Sequence, residues 1–187
     1  MLSRFEGVGA FVDMSVASGG DRWDYLGLGV LFADIDADGD QDLYIANDST
    51  PNFVYRNAGD GTFDEIGLQA NAAFNETGLA QAGMGVAWGD YDNDRDLDLV
   101  VTGNDGGPGL GQAILQIYEN ALNRFGAETT FAQDPITLLQ GLEFSAVSLA
   151  DIDGDGDLDL VSAGSTGGTI PIPLSIVNDN HTGQFTR

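Results

Sequence analysis

Apolar residues along this chain come in short bursts with strand character, separated by clusters of Gly, Asn and Asp. Gly29–Ala33 is such a run, followed by Leu43–Ala46, by Phe53–Tyr55, by the turn residues Asn57-Ala-Gly-Asp-Gly61, and by Thr62-Phe63 onward. Short β-rich runs punctuated in this way predict antiparallel strands joined by tight turns. The pattern then recurs with Met84–Trp88, Leu97–Val101 and Ala113–Tyr118, and again with Phe144–Leu149, Leu158–Val161 and Ile172–Val177. The fold class predicted is all-β. Four short antiparallel strands per unit correspond to one blade of a β-propeller.

Two segments interrupt this reading. Leu110–Phe125 places Ile114, Ile117, Tyr118, Ala121, Leu122 and Phe125 at spacings that also suit a helix. Its place in the repeat favours a strand through Tyr118, with a helix as the competing reading. Asn71–Gly83 has neither period and reads as an extended connection between blades.

The repeat has a chemical marker. Loops that alternate aspartate with other residues begin at positions 34, 90 and 151, a spacing of 56 and then 61 residues. They are Asp34-Ile-Asp-Ala-Asp-Gly-Asp-Gln-Asp42, Asp90-Tyr-Asp-Asn-Asp-Arg-Asp-Leu-Asp98 and Asp151-Ile-Asp-Gly-Asp-Gly-Asp-Leu-Asp159, each followed by leucine. A second motif runs in step with them. Tyr55-Arg-Asn-Ala-Gly-Asp-Gly-Thr-Phe63 is its clearest copy and Ser3-Arg-Phe-Glu-Gly-Val-Gly-Ala-Phe11 matches it in length. Tyr118-Glu-Asn120 leading to Phe131 is a longer copy, and Val177 to Phe185 a worn one. Self-similarity at this scale predicts stacked supersecondary units. The units are 1–26, the end of a preceding blade; 27–80, with the first loop; 81–140, with the second; and 141–187, with the third. This gives about three complete blades and a partial one.

Five carboxylates in nine residues repel one another and hold a compact shape only around a cation. Ca2+ is a hard cation that takes six to eight oxygen ligands. In the first loop these are the side chains of Asp34, Asp36 and Asp38, the backbone carbonyl of Asp40, and Asp42. In the second they are Asp90, Asp92 and Asp94, the carbonyl of Asp96, and Asp98; in the third, Asp151, Asp153 and Asp155, the carbonyl of Asp157, and Asp159. The competing reading is a set of solvated acidic turns. Three in-phase copies weigh against it. The loops lack an EF-hand's closing glutamate, since Ile45, Val101 and Ser162 stand at position 12. Gly39 and Gly156 occupy position 6, where the chain turns sharply, and Arg95 replaces glycine there in the second loop. That predicts the second site to be the weakest.

The loops resemble the integrin-α-like FG-GAP/VCBS calcium-loop repeat. Residues 27–103, from Gly27-Leu-Gly-Val through Leu43-Tyr-Ile-Ala-Asn-Asp-Ser-Thr-Pro-Asn-Phe-Val-Tyr-Arg-Asn57 to Gln81-Ala-Gly-Met-Gly-Val-Ala-Trp-Gly-Asp-Tyr-Asp92, resemble bacterial members of the cartilage acidic protein family. The resemblance implies a propeller of about six to eight blades, calcium between strands 1 and 2 of each blade, and extracellular adhesion or binding of a protein or glycan.

Charge and composition narrow the function classes. The net charge is -24, and fifteen of the 30 acidic residues lie in the loops; three bound Ca2+ bring it to -18. With six Lys+Arg and no basic stripe, the charge argues against nucleic acid as a partner. No cysteine is present, which excludes disulfides and thiol chemistry. No run approaches a membrane span. Loops of this kind stay filled where calcium is millimolar, so an extracellular or periplasmic location is expected. Met1–Ala10 lacks the apolar core of a signal peptide, which predicts that the chain is a piece of a longer one.

An enzyme is not expected. The single histidine, His181, lies in the worn hairpin, and Glu65, Glu76, Glu119, Glu128 and Glu143 show no pairing. The alternative is part of a propeller-type polysaccharide-active enzyme such as a lyase, in which similar loops occur. Trp88 and Tyr44 are expected in the core and Trp23 at an exposed contact; Tyr55, Tyr91 and Tyr118 complete the aromatic set considered for sugar stacking. Asn47, Asn75 and Asn180 open Asn-x-Ser/Thr sequences. Blades bury their faces only against neighbours, so an open array implies self-association: two copies of three and a half blades approach a ring of about seven.

Overall fold

A computed structural model describes residues 2–5, 7, 9–20, 25–106, 111–121, 129–133, 141–166, 171–179 and 185–186, with the backbone alone for 171–179 and 185–186. Every regular element among them is a strand. The first two, β1 (Ser3–Phe5) and β2 (Phe11–Asp13), form a two-stranded sheet. Then β3 (Gly27–Ala33), β4 (Asp42–Asn47), β5 (Phe53–Asn57) and β6 (Phe63–Glu65) form a four-stranded sheet in chain order. Next, β7 (Ala82–Gly89), β8 (Asp98–Asn104), β9 (Ala113–Asn120) and β10 (Phe131–Gln133) form a second such sheet. Finally β11 (Glu143–Ala150), β12 (Asp159–Ser165), β13 (Pro171–Asp179) and β14 (Phe185–Thr186) form a third. All pairings are antiparallel. The all-β, four-strand reading therefore stands. The helical reading of Leu110–Phe125 fails across Ala113–Asn120, which is strand; 122–125 lie outside the described residues.

The outer hairpins keep one register. Ser3 pairs with Asp13 and Phe5 with Phe11, as Tyr55 pairs with Glu65 and Asn57 with Phe63. Tyr118 pairs with Gln133 and Asn120 with Phe131, and Asp179 pairs with Phe185. The first, second and fourth of these hairpins close over the same count of residues, Phe5 to Phe11, Asn57 to Phe63 and Asp179 to Phe185, while the third is longer and still closes on a phenylalanine; hairpin register follows turn geometry and the apolar pattern.

Each aspartate loop joins the first two strands of a sheet, and the leucine after it enters the core. Leu43 is buried, and Leu99 and Leu160 are fully so. Between the first two sheets, Tyr44, Ala46 and Val54 meet Leu99, Val101 and Tyr118, with Val86 and Trp88 packed against them. Between the second and third, Ala87, Val100, Leu115 and Ile117 meet Leu160, with Val147 and Leu149 alongside. Tyr44 and Trp88 stack edge to face at 5.9 Å, so both serve the core as expected. Close approach of β3 to β7 requires glycine: a Cβ on Gly29 would stand 2.8 Å from the Met84 carbonyl and 2.9 Å from Val86.

Counting back from each loop, Val30, Val86 and Val147 are equivalent, as are Phe32, Trp88 and Leu149. In the second and third sheets these residues pack against the preceding sheet. In the first, Val30 is 61% and Phe32 53% exposed, as are Leu28 and Leu26 on the same strand and just before it. The outer half of that face is better covered: Leu43, Phe53 and Tyr55 are buried with Tyr25 and Phe63 around them. The topology explains the split. The β1–β2 pair is an outer hairpin in register with the other outer hairpins, and the inner pair of its blade is not among the described strands.

The connections after the first two outer hairpins are more ordered than their sequences suggest. In 66–72, Ala70 N–H donates to Ile66, Asn71 to Leu68 and Ala72 to Gly67. In 14–20, Ser18 donates to Met14, Gly19 to Val16 and Gly20 to Ser15. Asn71 and Gly19 both have positive φ, at 56° and 81°. Each turn then offers a carbonyl to the outermost strand of the next sheet: Phe63 N–H donates to Ser18 at 2.9 Å and Phe131 N–H to Ala70 at 2.9 Å. No helix of the described residues is long and apolar enough to cross a membrane.

Candidate metal centre

The three loops share one set of side-chain staples. The position-1 carboxylate accepts the position-6 N–H: Asp34 from Gly39 at 3.0 Å, Asp90 from Arg95 at 3.0 Å and Asp151 from Gly156 at 3.2 Å. Position 3 accepts from position 5, as Asp36 does from Asp38 at 3.3 Å, Asp92 from Asp94 at 3.1 Å and Asp153 from Asp155 at 3.2 Å. Position 5 accepts from position 7, as Asp38 does from Asp40, Asp94 from Asp96 and Asp155 from Asp157. Alternating aspartates suit this, since the carboxylates at positions 3 and 5 each reach a backbone N–H two residues on.

Position 9 has a different role, which the sequence reading missed. Asp42, Asp98 and Asp159 are buried, and each accepts the N–H of loop position 2, from Ile35, Tyr91 and Ile152 at 3.0, 3.1 and 2.8 Å. The other oxygen of Asp42 accepts from Asn57 N–H and that of Asp98 from Asn120 N–H, at 2.8 and 2.9 Å. In the first two blades position 9 thus pins its loop to the outer hairpin of its own blade. The shared Tyr-x-Asn of Tyr55–Asn57 and Tyr118–Asn120 was the signal that could have revealed this.

Three carboxylates converge in every loop. One oxygen each from Asp34, Asp36 and Asp42 lie within 4.8 Å of one another, as do those of Asp90, Asp92 and Asp94, and those of Asp151, Asp153 and Asp159. Side chains of Asp38, Asp98 and Asp155 fall outside these triplets, and so do those of Asp40, Asp96 and Asp157, for which the backbone carbonyl is the expected donor. The Asp40 side chain instead borders the next turn, where a Cβ on Gly59 would meet it at 2.7 Å.

Electrostatics favour a cation. Burial, followed by the Asp38 charge, raises the Asp36 carboxyl above its ordinary range, and burial raises that of Asp92. Burial pushes Asp42 up to about 6 and Asp98 up to about 8, against the backbone hydrogen bonds that favour their charged forms. Asp90 Oδ1 is inaccessible and accepts no hydrogen bond. A buried acceptor without a donor is costly, and a hard cation fits such an all-oxygen donor set.

The backbone carries strain at two loop positions. Position 6 is left-handed in all three, with φ of 98° at Gly39, 81° at Arg95 and 100° at Gly156. Position 4 is left-handed as well, at Ala37 (56°), Asn93 (62°) and Gly154 (81°). The position-6 conformation was legible from its glycines; position 4 was not.

The remaining candidates have structural partners. Glu65 accepts from Gly67 N–H, Glu119 from the Tyr91 hydroxyl and Glu143 from Asn104. Tyr44, Tyr55, Tyr91 and Tyr118 are buried. The Asn47 amide donates to the Pro51 carbonyl and that of Asn75 to the Asp105 carbonyl. Trp23, Glu128, Asn180 and His181 lie outside the described residues.

The loop-and-hairpin unit matches a known repeat. The model of the FG-GAP-like repeat family matches residues 34–101 and 90–162, both matches starting at the first aspartate of a loop. Cartilage acidic protein 1 of Xenopus tropicalis is 30% identical over 134 residues, 72% of this chain and 19% of that protein. Cartilage acidic protein 1 of Homo sapiens is 35% identical over 107 residues, 57% of this chain and 15% of that protein. The chain thus spans at most about a fifth of the length of these relatives, from the 19% and 15% covered. With three in-phase loops, four-stranded sheets and a family match across 34–162, this chain belongs to the FG-GAP-like repeat family.

Proposed function

We propose that this chain is a calcium-pinned, extracellular or periplasmic β-propeller segment that serves adhesion or the binding of a protein or glycan. The reading rests on one observation above all: three loops, one per four-stranded sheet, bring three carboxylates within 4.8 Å of one another with the same backbone staples. Asp34, Asp36, Asp38 and Asp42 would hold the first ion with the Asp40 carbonyl, and the equivalent residues of the other loops would hold theirs. Calcium would neutralise the loops and fix the turn between the first two strands of each blade. It supplies no chemistry to a substrate in this reading. The family match and the relatives named for cartilage support an extracellular setting. The charge of -24 supports a partner that is not a nucleic acid.

Calcium titration by calorimetry, with melting curves in calcium and in chelator, tests the reading. About three ions bound and a large rise in melting temperature are expected, since carboxylate clusters fold with their metal. A melting curve that chelator leaves unchanged would overturn it.

A further inference from the structure

We propose that Asn93 and Asn120 are positioning residues that tie the three loops into one coupled calcium array; this rests on the calcium reading above. Asn93, at position 4 of the second loop, donates its side-chain amide to Asp157 Oδ1 of the third loop at 2.7 Å. Asp157 is 5% exposed and occupies position 7, whose backbone carbonyl is the expected ligand. Holding its side chain therefore orients a ligand of the third site. Asn120 is 3% exposed and donates to the Ile35 carbonyl of the first loop at 2.9 Å, while its own N–H donates to Asp98 of the second. Ile35 N–H in turn donates to Asp42. A buried path of hydrogen bonds thus joins the position-9 carboxylates of the first two loops, through Ile35 and Asn120.

The donor assignments follow from chemistry, because a carboxylate and a backbone carbonyl only accept. The contrast with Asn57 is informative. It holds the same hairpin position, yet its amide turns back onto Gln41 of its own blade. Among the described residues the bond to a neighbouring blade's loop is made by Asn120.

A loop ordered by its ion presents Asn93 or Ile35 in a fixed place, so the neighbouring loop loses less freedom on filling. That is positive coupling without a change of fold, and it is reciprocal between sites. The opposing effect is charge: a filled loop attracts the next ion less. At about 0.15 M salt the screening length is about 8 Å, which weakens that effect and leaves the direct hydrogen bond.

The test uses the whole chain and amide resonances, with Gly39, Arg95 and Gly156 reporting their own loops during calcium titration. Disabling the third loop with Asp151→Asn and Asp153→Asn should weaken filling of the second by about fivefold to tenfold. In an Asn93→Gly background, which suits the left-handed backbone, it should have no further effect. Asn120→Leu keeps the N–H to Asp98 and should uncouple the Gly39 and Arg95 midpoints. An Arg95 midpoint indifferent to the third loop, or equally sensitive with and without Asn93, overturns the coupling. Absence of any calcium-dependent shift at all three amides overturns the calcium reading and the coupling together.

Discussion

Arg95 stands in the same left-handed corner as Gly156, at φ 81° against 100°, although only glycine adopts that conformation at no steric cost. Its N–H closes the loop on Asp90 as Gly156 closes on Asp151. The arginine guanidinium has no ion-pair partner among the described residues. The second loop therefore carries strain of about 1 kcal/mol at this position. Arg95→Gly should fill the second loop at about twofold to fivefold lower calcium, because part of the strain relief is returned as added freedom of the unfolded chain. Ala37→Gly should act in the same direction on the first loop. Site-resolved titration checks both, and an unchanged or higher midpoint would contradict the strain account.

Position 3 and position 9 aspartates should separate by their dependence on metal. Asp92→Asn removes a carboxylate proposed to bind the ion but keeps an oxygen for the Asp94 N–H. It should lower the melting temperature in calcium and raise it in chelator, where one repelling charge is gone. Asp98→Asn points an amide donor at one of two N–H donors, those of Tyr91 and Asn120. It should lower the melting temperature in both conditions, by about 1–3 kcal/mol of stability for an unsatisfied buried group. Equal behaviour of the two variants in chelator would show that position 9 has no role beyond the metal.

Metal-free protein should lose stability as pH rises, against the usual trend near neutrality. Burial raises the folded Asp42 carboxyl to about 6 and Asp98 to about 8, above the ordinary value of 3.8. A carboxyl raised on folding contributes stability that is fully present below the unfolded value and lost as pH climbs through the folded one. The window is therefore about pH 4 to 8. Melting curves in calcium-free buffer should fall across it, and saturating calcium should remove the fall. A rising metal-free curve would exclude protonated position-9 carboxyls.

The two apolar faces of the first sheets should respond unequally. Leu99 is fully buried between blades, so Leu99→Ala should cost about 2–5 kcal/mol in urea unfolding. Phe32→Ser removes a residue 53% exposed and should cost less than about 1 kcal/mol, while reducing concentration-dependent light scattering. A cost comparable to that of Leu99→Ala would mean that the β3 face is covered in solution.

What the sequence disclosed depended on the range of the interaction. The loops and hairpins are local: alternating aspartates must fold back on nearby N–H groups, and Tyr55 to Phe63 carries its own turn. Both were legible, down to the hairpin register. The left-handed position 4 was hidden because Ala37 and Asn93 stand where only Gly154 would have signalled it. The tie from Asn93 to Asp157 joins residues 64 apart, and that from Asn120 to Ile35 joins residues 85 apart, so no local pattern marks them.

The turns at 14–20 and 66–72 share hardly any residues, yet both hook the next sheet through one main-chain carbonyl, Ser18 to Phe63 and Ala70 to Phe131. A hook made of backbone places almost no demand on side chains. At this hook successive units can therefore drift apart in sequence without losing it. The chain asks there only for a turn of the right shape, whereas the aspartate loops and the close approach at Gly29 ask for particular residues.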